Sequence, residues 1–242
     1  MLGLSRNSNG EEQVATSSSE ARDEAVLDSI RRVGFTMRPM LERALGVDPN
    51  NVIQRLLARK RIVSVAGLAD NRSYYLDASE RALGSKALQQ RLALAWFFYM
   101  DASVPRVVLK PTELRLLLGE KAPQGPHVLE GGAKARVCSV YAPDTNDVTN
   151  TLCKQVARIQ RVPHLAASMA AGTYAWAVLL PWSSALLKPI AGAVSQNGEP
   201  QRGIDRLLAA DRRLQGVTIT AHRVASPETL SLALKAVEGR TP

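Results

Sequence analysis

At 242 residues, 45% hydrophobic and 22% charged, the chain can bury a substantial core and has room for two modest globular domains. Its formal net charge of +9 suits an anionic partner such as nucleic acid. Cys138 and Cys153 are the only cysteines, and without a CxxC or Cys/His cluster nothing points to zinc; a reducing cytoplasm is the simplest location.

Residues 1–19, MLGLSRNSNGEEQVATSSS, lack the apolar core of a signal peptide, and their Ser, Asn, Glu and Gln content predicts a disordered tail and no export. A first helix is expected over 20–33, with Val26, Leu27, Ile30 and Val33 on one face and Gly34 just past its end. Thr36 is placed to cap a second helix that tolerates Pro39 in its first turn and stops at Gly46. Asp48 as N-cap and Pro49 at the first helical position open a third. There Val52, Ile53, Leu56 and Leu57 share an apolar face, opposite Asn51, Gln54, Arg55, Ala58 and Arg61. Residues 62–68 and 73–76 read as strands joined by a turn at Ala69-Asp70-Asn71, with Asn71 and Arg72 at its tip. Residues 36–76 thus outline a winged helix-turn-helix.

Asparagine, glutamine and arginine match adenine and guanine edges in a major groove, and the small Ala58 allows close approach. Between residues 31 and 61 eight basic side chains stand against two acidic ones, a local excess of +6 that would attract phosphates. Double-stranded DNA is the expected partner. The expected contact set is Arg38, Asn50, Asn51, Gln54, Arg55, Arg59, Lys60 and Arg61, with Asn71 and Arg72 reaching the flanking backbone or minor groove.

Asp77 and Glu80 resemble a capping box opening a helix towards Asp101, which would end an N-terminal domain spanning 20–101. Trp96, Phe97, Phe98 and Tyr99 make that helix apolar almost all round, to be covered either by inter-domain core or by a second copy of the chain in a homodimer. From 102 to 242 the elements alternate: strand 106–109, helix 112–118, strands 126–128 and 136–141 bridged by Gly131-Gly132, and helix 148–160. A central strand 174–180, an amphipathic helix 203–214, an outer strand 217–223 and a closing helix 227–237 follow, so the second domain is mixed α/β. The stretch 164–187 has no charge and could span a bilayer, but Gly172, Pro181, Ser183 and Ser184 interrupt it, and it reads as buried core.

The wing ending Tyr74-Tyr75-Leu76-Asp77, with Leu83-Gly84 beyond it and the α/β half following, resembles the replication-relaxation family of plasmids and integrative elements. That resemblance implies a winged helix joined to a domain similar to restriction-endonuclease folds, and a role in plasmid replication, mobilisation or conjugative transfer. An active fold of that kind would hold magnesium on a Pro-Asp and a following acidic pair. This chain offers Pro126-His127 and Cys138-Ser139-Val140-Tyr141 there, with Glu130 in the expected turn and Asp144 past the strand, so a degenerate, non-catalytic domain without cofactor is expected.

His127, His164 and His222 lie in unrelated elements, Ser183-Ser184 lacks a GxSxG context, and Gly131-Gly132 lacks the Lys-Ser/Thr of a phosphate loop. The functional expectation is a sequence-selective DNA-binding accessory factor at an origin of transfer or replication, presenting DNA to a relaxase or replication initiator. A winged-helix repressor of its own operon is the alternative.

Overall fold

A computed structural model of the chain describes residues 9–68, 72–101, 104–132, 135–143, 148–181 and 211–238. Its contacts divide into two units, 1–66 with 73–82 and 67–72 with 83–242. The domain boundary expected after Asp101 thus falls instead at 82, and the aromatic helix belongs to the second unit.

The first unit comprises α1 (Asn9–Val33), α2 (Arg38–Leu45), α3 (Asn50–Ala58), β1 (Ile62–Ala66) and β2 (Ser73–Asp77). Residues 9–19, expected as tail, continue α1, while 1–8 lie outside the described residues. Val26, Leu27 and Ile30 of α1 meet Leu41 of α2, Val52, Ile53 and Leu56 of α3 and Ile62 of β1 in one buried cluster. The i, i+3, i+4 spacing in each helix thus makes a single apolar seam. β1 and β2 pair antiparallel from Ile62 opposite Asp77 to Ala66 opposite Ser73.

Thr36 does not cap α2. Its N–H donates to the Tyr75 carbonyl at 3.1 Å and its carbonyl accepts from the Tyr75 N–H at 2.9 Å, so it lies alongside β2 as a one-residue third strand. Its buried Oγ1 has no hydrogen-bond partner among the described residues. The α2 N-cap is Met37, and the helix closes at Gly46, where φ of 67° lets the Gly46 N–H reach the Glu42 carbonyl at 2.9 Å.

α3 starts one residue later than expected, with Pro49 as N-cap. Asp48 still serves the helix end, its carboxylate accepting from the Asn50 N–H at 3.1 Å. The other end is a Schellman turn: the Lys60 N–H donates to Leu57 O and the Arg61 N–H to Leu56 O, both at 2.9 Å. Lys60 stands at the left-handed position with φ of 53°, where glycine has no steric cost. Lys60→Gly is expected to stabilise the first unit by about 1 kcal/mol in equilibrium denaturation.

The second unit contains α4 (Ser85–Tyr99), β3 (Arg106–Val108), α5 (Pro111–Leu118), β4 (His127–Glu130), β5 (Arg136–Tyr141), α6 (Val148–Gln160), α7 (Pro163–Ala170), β6 (Tyr174–Pro181), β7 (Ile219–Val224) and α8 (Leu230–Glu238). α4 opens at Gly84 rather than near Asp77, whose carboxylate is taken by the Ser79 N–H and hydroxyl and by Arg31. The sheet order is β3-β4-β5-β6-β7, antiparallel across the first three strands and parallel across the last three.

β6 is buried along its whole length, with Tyr174, Trp176, Val178 and Leu180 facing a core built from α5, α6 and α7. The opposite face carries the small Ala175 and Ala177 and receives α4, which packs on β3, β6 and β7. Trp96, Phe97 and Tyr99 are buried within this unit, and Phe98 is half-buried with its ring against Tyr99. Phe97 lies under Arg106 of β3 and against His222 of β7, and with Trp96 and Tyr99 also buried the run's apolarity no longer argues for a homodimer.

Of the helix expected over 203–214, residues 203–210 lie outside the described residues, and Arg212–Leu214 forms a single 3-10 turn. The uncharged stretch resolves into α7 and β6, with 182–187 outside the described residues. No helix among the described residues is long and apolar enough to cross a membrane. The described chain is a mixed α+β protein with eight helices and two sheets.

Candidate nucleic-acid interface

The outward face of α3 follows from its inward one. Burying Val52, Ile53 and Leu56 leaves Asn50, Asn51, Gln54 and Ala58 exposed, at the i, i+1, i+4, i+8 spacing of one helical face. Three amide side chains, each both donor and acceptor, thus stand beside a small residue on a helix with nothing from the first unit's core in front of it. Asn50 is partly engaged, its amide nitrogen donating to Asp48 at 3.1 Å.

The arginines are placed differently from expectation. Arg55 turns towards α1, where its Nε and Nη2 donate to both oxygens of Asp23, a buried carboxylate, at distances of 2.5 to 3.2 Å. Arg59 lies 3.5 Å from the same carboxylate, Arg61 donates to Glu24 at 3.2 Å, and Arg38 sits 3.5 Å from Asp48. Arg55 is thereby an internal tie between α3 and α1, and its side chain keeps only 35% of its surface exposed. Arg55→Ala should leave Asp23 buried without its main partner and destabilise the first unit by about 1 to 3 kcal/mol. Faster amide exchange in α1 and α3 would register that loss; unchanged exchange with weaker DNA binding would return Arg55 to a reading role.

The same pairs change the charge argument. The +6 window excludes Asp23, Glu24, Asp28 and Asp77, all of which ion-pair with arginines inside it. Over its whole sequence the first unit carries eleven basic and ten acidic residues, a net of +1. The second unit carries twenty against twelve, a net of +8. Arg59 and Lys60 remain exposed beside the amide face. Lys60 also holds a strained left-handed backbone where glycine would be easier, which puts its ammonium group at the C-terminal end of α3.

At the hairpin tip Asn71 lies outside the described residues. Arg72 is half-buried, and its Nε has no hydrogen-bond partner among the described residues.

In the second unit the positions at which an active nuclease-like fold would carry acids do not fit magnesium. His127 is fully buried, with Nδ1 3.0 Å from the Gly125 carbonyl and Nε2 3.1 Å from the Tyr174 hydroxyl, and burial lowers its pKa. Glu130 is in β4 rather than the turn, and its two oxygens accept separately from Arg106 at 2.9 Å and Arg136 at 2.8 Å. Cys138 is buried against Glu130, and burial followed by that carboxylate pushes its thiol up to about 12, which favours the neutral thiol. Asp144 lies outside the described residues. Among the described residues no group of three His, Cys, Asp or Glu side chains could hold a metal ion. His164 meets the Leu118 carbonyl and His222 the Asp101 carboxylate, each at 2.7 Å, in structural roles.

No family model, no curated protein and no solved structure matches the chain. The resemblance to replication-relaxation proteins accordingly rests on element order and on the residues quoted for it.

Proposed function

We propose that the first unit is a winged helix and that the protein binds duplex DNA sequence-selectively through α3. The observation that carries this reading is the exposed amide face of Asn50, Asn51 and Gln54 beside Ala58. Its side chains pair bidentately with adenine edges and let the helix backbone approach. The bridge of Thr36 to β2 supports it, since a helix, a short strand, two helices and a hairpin is the element order of a winged helix. With the first unit near neutrality, selectivity comes from base contacts more than from phosphate attraction.

Fluorescence anisotropy with labelled duplex and single strands tests it. Saturable duplex binding that weakens at least about tenfold between roughly 50 and 200 mM salt is expected. Equal affinity for single strands of any sequence would remove α3 as a reader.

On the resemblance to replication-relaxation proteins we propose that the bound site is an origin of transfer or replication of a mobile element, with a relaxase or initiator as the partner to which DNA is presented. Bound sites lying over the promoter of the protein's own operon would make it a repressor instead. We also propose that the second unit is not a nuclease: supercoiled and linear DNA should stay intact with added magnesium or manganese, and cleavage lost on Glu130→Gln would overturn this.

A further inference from the structure

Helix α6 turns Leu152, Cys153, Val156 and Ile159 into the core of the second unit. At about 100° per residue, the direction opposite that face carries Lys154, Arg158 and, one residue past the end of the helix, Arg161. All three are exposed, and they form a row at i, i+4 and i+7. Among the described residues none of them is paired with a carboxylate. No near neighbour in sequence supplies one, since residues 148–181 contain these three cations and no aspartate or glutamate. Asp211, which accepts from the Cys153 thiol at 3.4 Å, is held by Arg213 at 2.6 Å.

Like charges four residues apart on a helix repel, so the row costs the free protein stability that an acid at either position would restore. The negative end of the helix dipole favours Arg158 in the last turn, but that effect fades within one turn and does not account for Lys154. A polyanion laid along the row relieves the repulsion. The rest of the face decides its kind. Ala157 and Gln160 are the other exposed residues described in α6, and its large apolar side chains are committed to the core. The face therefore has no aromatic or aliphatic anchor for a protein partner and nothing to insert between lipids. What it offers is charge in a line, with steps of about 6 Å and about 4.5 Å along the axis, and that suits a phosphate backbone.

We propose that the outward face of α6 is a second nucleic-acid contact, which binds the sugar–phosphate backbone without regard to sequence through Lys154, Arg158 and Arg161. Duplex and single-stranded DNA both present that chemistry. The net charge of +8 on the second unit agrees with a polyanionic partner. The inference stands apart from the α3 reading, since α6 lies wholly in the second unit.

Binding of the full-length chain to random duplex and to random single strands, followed by fluorescence anisotropy from about 50 to 200 mM salt, tests it. Lys154→Gln/Arg158→Gln should weaken binding about tenfold or more at the lower salt and make the slope of log K against log salt shallower by about 1 to 2. Its melting temperature should not change, because neither side chain has a carboxylate partner to lose. The strand form that binds tighter in wild type identifies the backbone the row takes. Arg115→Gln/Lys235→Gln removes two exposed cations outside the row and should leave affinity within about twofold. Asn51→Ala/Gln54→Ala in the first unit should leave random DNA binding almost unchanged, so failure of the α3 reading and failure of this one give different results. Poly-glutamate and phosphatidylserine–phosphatidylcholine vesicles are the competing probes. Tighter binding of either than of DNA, lost in the α6 variant, assigns the row to an acidic protein or a membrane surface and overturns the proposal. An unchanged slope in the α6 variant, or an equal loss in the Arg115/Lys235 variant, overturns it as well.

Discussion

Replacing Glu130 by alanine is expected to destabilise the second unit by about 3 to 5 kcal/mol, the usual cost of removing one partner from a buried ion pair. Arg106 is the reason. Its side chain is 1% exposed, lies 3.9 Å over the Phe97 ring and donates to Glu130 and to the carbonyls of Phe97 and Asp101. Without Glu130 the guanidinium keeps, among the described residues, only Asp101, 3.5 Å away, as a counter-charge, and Arg136 loses the Glu130 carboxylate as well. The alternative of a charge free to leave for water is closed, because α4 covers β3.

The pH dependence has a defined sign. Burial by itself would raise the Glu130 pKa, but hydrogen bonds from Arg106 and Arg136 outweigh it and hold the carboxyl below its ordinary range. A lowered folded pKa means stability that is present above the ordinary glutamate range and is lost as pH falls through the folded value. Wild type should therefore lose second-unit stability on acidification, and Glu130→Ala should lack that component. Tryptophan fluorescence isolates the measurement, since Trp96, Trp176 and Trp182 all belong to the second unit. A loss below about 1 kcal/mol would mean that Arg106 is satisfied by its carbonyl partners alone.

The second large effect concerns DNA. Asn51→Ala and Gln54→Ala should each weaken binding to the preferred duplex by about 1 to 3 kcal/mol while leaving random duplex almost unchanged. Both side chains are exposed on α3, and neither packs in the first unit's core, so fold stability should hold within about 0.5 kcal/mol. Arg59→Ala, by contrast, should weaken both duplexes alike, as a phosphate contact does. Equal losses on preferred and random duplex for Gln54→Ala would turn the amide face into a backbone contact and require a different reading element.

Hydrophobic periodicity located the elements well where one face is buried. Helix 148–160 and strand 136–141 have the same bounds in sequence and structure, and the apolar face of α3 is the one read from Val52, Ile53 and Leu56. Local capping signals were less informative, because other interactions hold the residues concerned. The Thr36 backbone pairs with β2, which takes the residue out of the cap position, and the Asp77 carboxylate accepts from Ser79 and Arg31. Long-range pairing was illegible: Asp23 lies 32 residues before Arg55, and no spacing rule links them. That single contact ties to α1 the arginine that the sequence offered for guanine. The aromatic run 96–99 declared its need for burial but not its partners, which for Phe97 are Arg106 of β3 and His222 of β7.

Selection of bound fragments from a random duplex pool, carried out in parallel with wild type and with Asn51→Ala/Gln54→Ala, tests the central claim most directly. The account predicts that wild type enriches a defined motif, including adenine positions, and that the double variant loses the enrichment while still retaining DNA through charge. No enriched motif with wild type, or the same motif recovered with the double variant, would contradict it.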